Sequence, residues 1–72
     1  MTAMTAPEGR YYAVLGERIR AARQRAGLSQ RQLAYQLDLR SGVAIHHWER
    51  AENRLNAWQL TQLDRIFGES WR

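Results

Sequence analysis

The reactive chemistry this chain carries in quantity is that of the guanidinium group. All eleven basic residues are arginine and none is lysine. Arginine presents a planar fork of donors that fits a phosphate or the O6/N7 edge of guanine. Seven acids leave a formal net charge of +4, a balance that favours a polyanionic partner. A GC-rich genome would also enrich arginine, and the two origins are compatible. Other candidates for chemistry are few. His46 and His47 are adjacent, and adjacent helical residues point about 100° apart, so the pair does not chelate a metal from one face. There is no cysteine, which removes thiolate ligands, a thiol nucleophile and disulfides. Glu49, Glu52 and Asp64 form no acid pair supported by spacing, and no Ser-His-Asp arrangement or phosphate loop is visible. The expectation is therefore no catalysis, no metal and no cofactor.

The arginines need elements to position them, and the apolar spacing supplies helices. Leu15, Ile19, Ala22 and Ala26 form one stripe over residues 12–26, with Gly27 as a left-handed stop. Ser29 and Gln32 make an S-x-x-Q capping box for a second helix over residues 30–37, and Leu28 with Leu33 fall at the positions of a hydrophobic staple. Leu33, Ala34 and Leu37 face inward. Asp38, Leu39 and Arg40 form the turn: Asp tolerates left-handed geometry, and Leu39 plugs the core beneath it. Ser41 is the expected N-cap of a third helix over about residues 42–51, which buries Ile45 and Trp48. A loop over residues 52–55 leads to Asn56, the cap of a fourth helix over residues 57–67. Gln59 is a weaker capping-box partner there, and Leu55 with Leu60 form a second staple. Leu60, Leu63 and either Ile66 or Phe67 complete its stripe, and Gly68 stops it. The remaining residues have room for no more than a turn.

Size and composition bound the rest. Residues 1–10 read as a disordered lead-in, rich in Thr and Ala with Pro7 and Gly9. Residues 11–72 read as a single domain. A chain of 72 residues buries only about 60% of its unfolded surface, so its stability is modest. No run approaches the roughly 20 apolar residues of a membrane span, and residues 1–9 lack the apolar core of a secretory signal. A cytoplasmic location is the expectation.

A capped second helix, a short polar turn and a third helix ending in Trp48-Glu49-Arg50 have the layout of a DNA-reading helix pair. The residues also resemble the Cro/lambda-repressor-like helix-turn-helix family, or XRE family, over roughly residues 15–68. The resemblance is carried by Leu15-Gly16-Glu17-Arg18-Ile19-Arg20-Ala21-Ala22-Arg23, by Gly27-Leu28-Ser29-Gln30, by Leu33-Ala34 and by Ile45 to Arg50. It implies an all-α fold, a compact bundle of four or five helices in which the second and third bind DNA. It also implies an ion pair between Arg23 and Glu49 that ties the first helix to the third. Two departures stand out. The span from Leu33 to Glu49 is one residue longer than usual in the family, with the addition near Arg40-Ser41-Gly42, in the turn or at the start of the third helix. Ala51 stands where the family usually has glycine.

A recognition helix reads bases through its N-terminal turns and its outward face. Counting back from Glu49, that face holds Gly42, Val43, His46, His47 and Arg50, preceded by Arg40 and Ser41. Base contacts are expected from Arg40 to guanine, from Val43 to a thymine methyl, and from Ser41, Gly42 and His47. Gln30 matches a family position that contacts the DNA backbone or an outer base pair. Arg31, Arg50, Asn53 and Arg54 are further candidates for phosphate contacts. His46 reads as a rim residue. The expected function is that of a sequence-specific, double-stranded DNA-binding regulator, a small phage Cro-type or stand-alone repressor with no evident small-molecule ligand. Such proteins pair as homodimers on half-sites about one helical turn apart. Trp58, Phe67 and Trp71 are candidate self-contacts, although Trp58 and Trp71 could equally fold back on their own core. The alternative class is a protein-interaction module, such as an antitoxin or a polymerase-docking factor. The outward face of the third helix has Arg40, His47 and Arg50 with no acid among them, which favours DNA.

Overall fold

A computed structural model describes residues 7–71 and contains four helices: α1 (Pro7–Arg25), α2 (Gln30–Gln36), α3 (Val43–Glu49) and α4 (Ala57–Phe67). No strand occurs among the described residues, so the fold is all-α. Helix α1 begins five residues before the expected start at Tyr12. Pro7 explains the difference, because proline's fixed φ and missing N–H suit the first helical position. Of the expected disordered lead-in, residues 1–6 lie outside the described residues and the remainder is helical. Tyr11 and Val14 are exposed on the early turns of α1, whereas Tyr12 between them packs against the core.

The starts of α2 and α4 follow local rules. Ser29 Oγ accepts from the Gln32 amide at 3.0 Å, while Gln32 Oε1 accepts from the Ser29 amide at 2.8 Å. Asn56 and Gln59 close the same reciprocal box at 2.7 and 2.9 Å. Each box satisfies two amides that the helix itself leaves without acceptors. Helix α3 starts differently. It runs over Val43–Glu49, shorter at both ends than expected, and Gly42 rather than Ser41 occupies the cap position without a side-chain bond. The Ser41 hydroxyl still accepts from the Val43 amide at 3.3 Å.

Three helices end the same way. The amide of a left-handed residue, and then the next amide, turn back onto two carbonyls of the last turn. After α1, Gly27 bonds to Gln24 O at 3.1 Å and Leu28 to Arg23 O at 3.0 Å. After α2, Asp38 bonds to Tyr35 O at 3.1 Å and Leu39 to Ala34 O at 2.8 Å. After α3, Ala51 bonds to Trp48 O at 3.1 Å and Glu52 to His47 O at 2.8 Å. The left-handed residues have φ of 72° at Gly27, 61° at Asp38 and 59° at Ala51. Ala51 is the costly one, since a left-handed L-residue without a short polar side chain is strained by roughly 1–2 kcal/mol. Replacing Ala51 by glycine removes that strain, partly offset by glycine's greater freedom in the unfolded chain. The expected result is a gain of about 1 kcal/mol, read as a melting temperature roughly 5 °C higher by circular dichroism. An unchanged or lower melting temperature would contradict the strain.

The core draws on every helix and on the tail: Leu15, Ile19 and Ala22 from α1; Leu33, Ala34 and Leu37 around α2; Ile45 and Trp48 from α3; then Leu55, Leu63 and Trp71. Ala26 was expected on the α1 stripe but is exposed, because α1 stops at Arg25 and the chain turns away at Gly27. After α4, Gly68 adopts φ 69° and reverses the chain, so that residues 69–71 run back across α1. Trp71 is 2% exposed, with its amide donating to Asp64 Oδ1 at 2.7 Å. Arg18 stacks its guanidinium 4.2 Å from the Trp71 ring centroid and donates to Ser70 O. Glu69 lies 3.6 Å from Arg18 and 3.8 Å from Arg25. These contacts turn a short, helix-free tail into a strap over α1.

Candidate nucleic-acid interface

Helix α3 is fixed by two very close backbone approaches and one ion-pair cluster. At the first, α1 meets the end of α3 at Gly16, where a Cβ would lie 2.5 Å from Trp48 O and 2.9 Å from Glu49 O. Only a residue without a side chain permits that approach. At the second, Gly42 packs on the start of α2: a Cβ there would lie 3.0 Å from the Arg31 amide nitrogen and 3.1 Å from the Gln30 carbonyl carbon. Gly42 thus faces α2, which corrects its expected place on the outward face of α3. Its small size sets the spacing between the two helices of the pair.

The ion-pair cluster lies between these approaches. Arg23 Nε donates to Glu49 Oε2 at 2.7 Å, Arg23 Nη2 to Glu49 Oε1 at 3.2 Å, and Arg23 Nη1 to Leu28 O at 2.9 Å. Gln30 Nε2 donates to Glu49 Oε1 at 3.2 Å. The Arg23 and Glu49 side chains are 13% and 6% exposed, so this bidentate pair is largely shielded from water. One carboxylate at the end of α3 holds the end of α1 and the start of α2, and Arg23 in turn holds the turn between them. Gln30, expected at the DNA backbone, directs its amide into this cluster.

What remains outside is the entry to α3. Arg40, Ser41 and Val43 are exposed, Val43 at 58%. Arg31 is exposed on α2 and, like Arg40, makes no hydrogen bond or ion pair among the described residues. Farther along, the expected contacts are partly engaged. His47 Nδ1 is 2.8 Å from Glu52 Oε1, and Arg50 Nε donates to Glu52 Oε2 at 3.2 Å. A base contact by His47 has to come from Nε2 or displace Glu52, and Arg50 retains only its terminal nitrogens. The hydrogen bond from His47, then that from Arg50, holds the Glu52 carboxyl below its ordinary pKa. This cross-cap contact is therefore present at neutral pH and lost as acid protonates Glu52. Asn53 is exposed, and Arg54 lies 5.7 Å from the Tyr12 ring centroid.

The candidate self-contacts separate. Trp71 is consumed by its own core, which corrects its expected availability to a second copy. Phe67 is half-buried with its ring 5.6 Å from that of Trp71. Trp58 is 57% exposed. Sequence reasoning overlooked the roles of Gly16 and Glu52. A glycine inside a helical pattern costs about 1 kcal/mol relative to alanine, and that cost was the available signal for Gly16. Glu52 gave no signal, because its partners depend on the turn at Ala51. Among the described residues, no three His, Cys, Asp or Glu side chains gather as a metal site, and no helix is long and apolar enough to cross a membrane.

Two short helices held at a fixed angle, the second exposed at its N-terminal end, define a helix-turn-helix protein. The chain matches the family described as a helix-turn-helix domain over residues 14–70 and belongs to it, within the XRE/lambda-repressor-like class. Members of that family are typically DNA-binding and non-enzymatic. No curated protein and no solved structure is a significant match to the chain.

Proposed function

We propose that this protein is a sequence-specific, double-stranded DNA-binding transcriptional regulator that lays the N-terminal turn of α3 in the major groove. The observation that carries this reading is electrostatic. Arg40, Ser41 and Val43 stand exposed at the start of α3, while the acids of α3 and of the turn after it, Glu49 and Glu52, are each neutralised by an intramolecular arginine. The groove-facing surface is left basic, with donors for guanine and an apolar group for thymine. Arg31 and Asn53 flank it and would position the duplex through its phosphates. The expected outcome is repression by occupancy of an operator, as by a small Cro-type or stand-alone repressor in the cytoplasm. Two copies would pair through Trp58 and Phe67, since one α3 reads too few base pairs to specify a site alone.

Selection from a random duplex library at moderate salt tests the reading. A palindromic consensus with half-sites about one helical turn apart is expected. No enrichment, with binding that vanishes steeply as salt rises, would leave only nonspecific charge attraction and would favour a protein-interaction module instead.

A further inference from the structure

A cleft of about 260 Å³ separates α1 from α3, walled by Arg20, Arg23, Gln30, His46, Glu49 and Arg50. Its one acid is already satisfied, because Glu49 accepts from Arg23 and Gln30 and is 6% exposed. The opening is therefore cationic. Arg20 is exposed and makes no hydrogen bond or ion pair among the described residues. Arg50 gives Nε to Glu52 and keeps its terminal nitrogens. His46 is exposed, its ring 5.7 Å from that of His47. Arginine donors around a concavity of this size suit one tetrahedral oxyanion, which accepts charge-assisted hydrogen bonds on several sides.

The cleft's position identifies the source of that oxyanion. Val43, His46 and Arg50 recur at helical spacing along one side of α3 and its cap. Arg50 lies about 10 Å along the axis from Val43, a distance comparable with the roughly 12 Å width of the major groove. With Val43 in the groove, the cleft meets the bordering sugar-phosphate strand. We propose that this cleft seats one backbone phosphate of the bound duplex, with Arg20 as its principal ligand and His46 and Arg50 beside it. The inference rests on the DNA-binding reading above and extends the contact surface to α1 through Arg20, which neither the helix pair nor the sequence pattern assigns to DNA.

The test is the salt dependence of binding to duplexes of several sequences, for the full chain and for two variants of equal net charge. Arg20→Ala removes the proposed ligand. Arg25→Ala removes an exposed arginine on the same helix that lies beside Glu69 instead. For Arg20→Ala the slope of log K against log salt should shrink by about 0.9, with affinity about eightfold weaker at 0.1 M salt on every sequence. Arg25→Ala should shift both far less. Equal slopes for the two variants would overturn the site while leaving DNA binding intact. A wild-type chain that binds no duplex would overturn both this assignment and the function it rests on. Inorganic phosphate alone separates the two phosphate sources. Weak, Arg20-dependent shifts of the His46 ring resonances are expected by NMR. Tight phosphate binding with an unaltered DNA slope in Arg20→Ala would assign the cleft to a free anion and overturn the proposal.

Discussion

Replacing Glu49 by alanine should lower the melting temperature by roughly 10–20 °C, corresponding to a loss of about 2–3 kcal/mol. The loss arises less from the missing attraction than from what remains. Arg23, 13% exposed, would keep a buried charge whose only remaining partner from that cluster is the Leu28 carbonyl, and the Gln30 amide would lose its acceptor as well. Removing one member of a buried pair commonly costs about 3–5 kcal/mol, and the loss here falls at or below the bottom of that range because the Arg23 edge still reaches water. A companion variant isolates the cause. Arg23→Met with Glu49→Leu removes both charges at similar volume, and such replacements are often neutral or stabilising. It should melt above either single variant. A double variant less stable than both singles would show that the two side chains stabilise the fold independently of their pairing, and would contradict this origin of the loss.

Trp71→Ala should cost about as much or more, roughly 3–5 kcal/mol by the general behaviour of buried aromatics, measured as a shift in the urea midpoint. In a domain of this length total stability is roughly 4–11 kcal/mol, so the loss removes a large share of it. The ring is 2% exposed, stacks beneath Arg18 and packs against Phe67. Its loss would also free the strap that Glu69 and Ser70 hold against α1. Trp71→Phe, which keeps an aromatic plug, should recover most of the loss. A midpoint for Trp71→Ala within experimental error of wild type would show that the strap contributes nothing to the fold.

The contrast between Trp71 and the helix caps shows what a sequence discloses. Ser29-Gln32, Asn56-Gln59, Gly27 and Gly68 act through hydrogen bonds and dihedral preferences within a few residues, so their roles are visible in the local pattern. The ion pair of Arg23 with Glu49 spans 26 positions, and only the resemblance to a family placed it. Trp71 has two satisfactory fates, its own core or a second copy, and composition does not distinguish them. Which one prevails depends on the chain reversal at Gly68 and on Arg18 lying one strap's width away. Gly42 was misplaced for a related reason. Helical periodicity puts it on the outward face of α3, whereas the close approach of α2 gives it a packing role. His47 and Arg50 fit the outward pattern, but Ala51 in left-handed geometry brings Glu52 back to meet both. Tertiary geometry thus engages several of the candidates and leaves Arg40, Ser41 and Val43 exposed at the entry to α3.

Base reading by the entry to α3, the function proposed above, is measurable as equilibrium binding of the wild type and Arg40→Ala to the selected duplex and to all its single-base variants. Arg40→Ala should lose about 1–3 kcal/mol on the selected duplex, with discrimination relaxed at one base pair in each half-site and kept elsewhere. Uniform weakening across all variants would reduce Arg40 to a phosphate contact. Unchanged binding and specificity would contradict the placement of the reading surface.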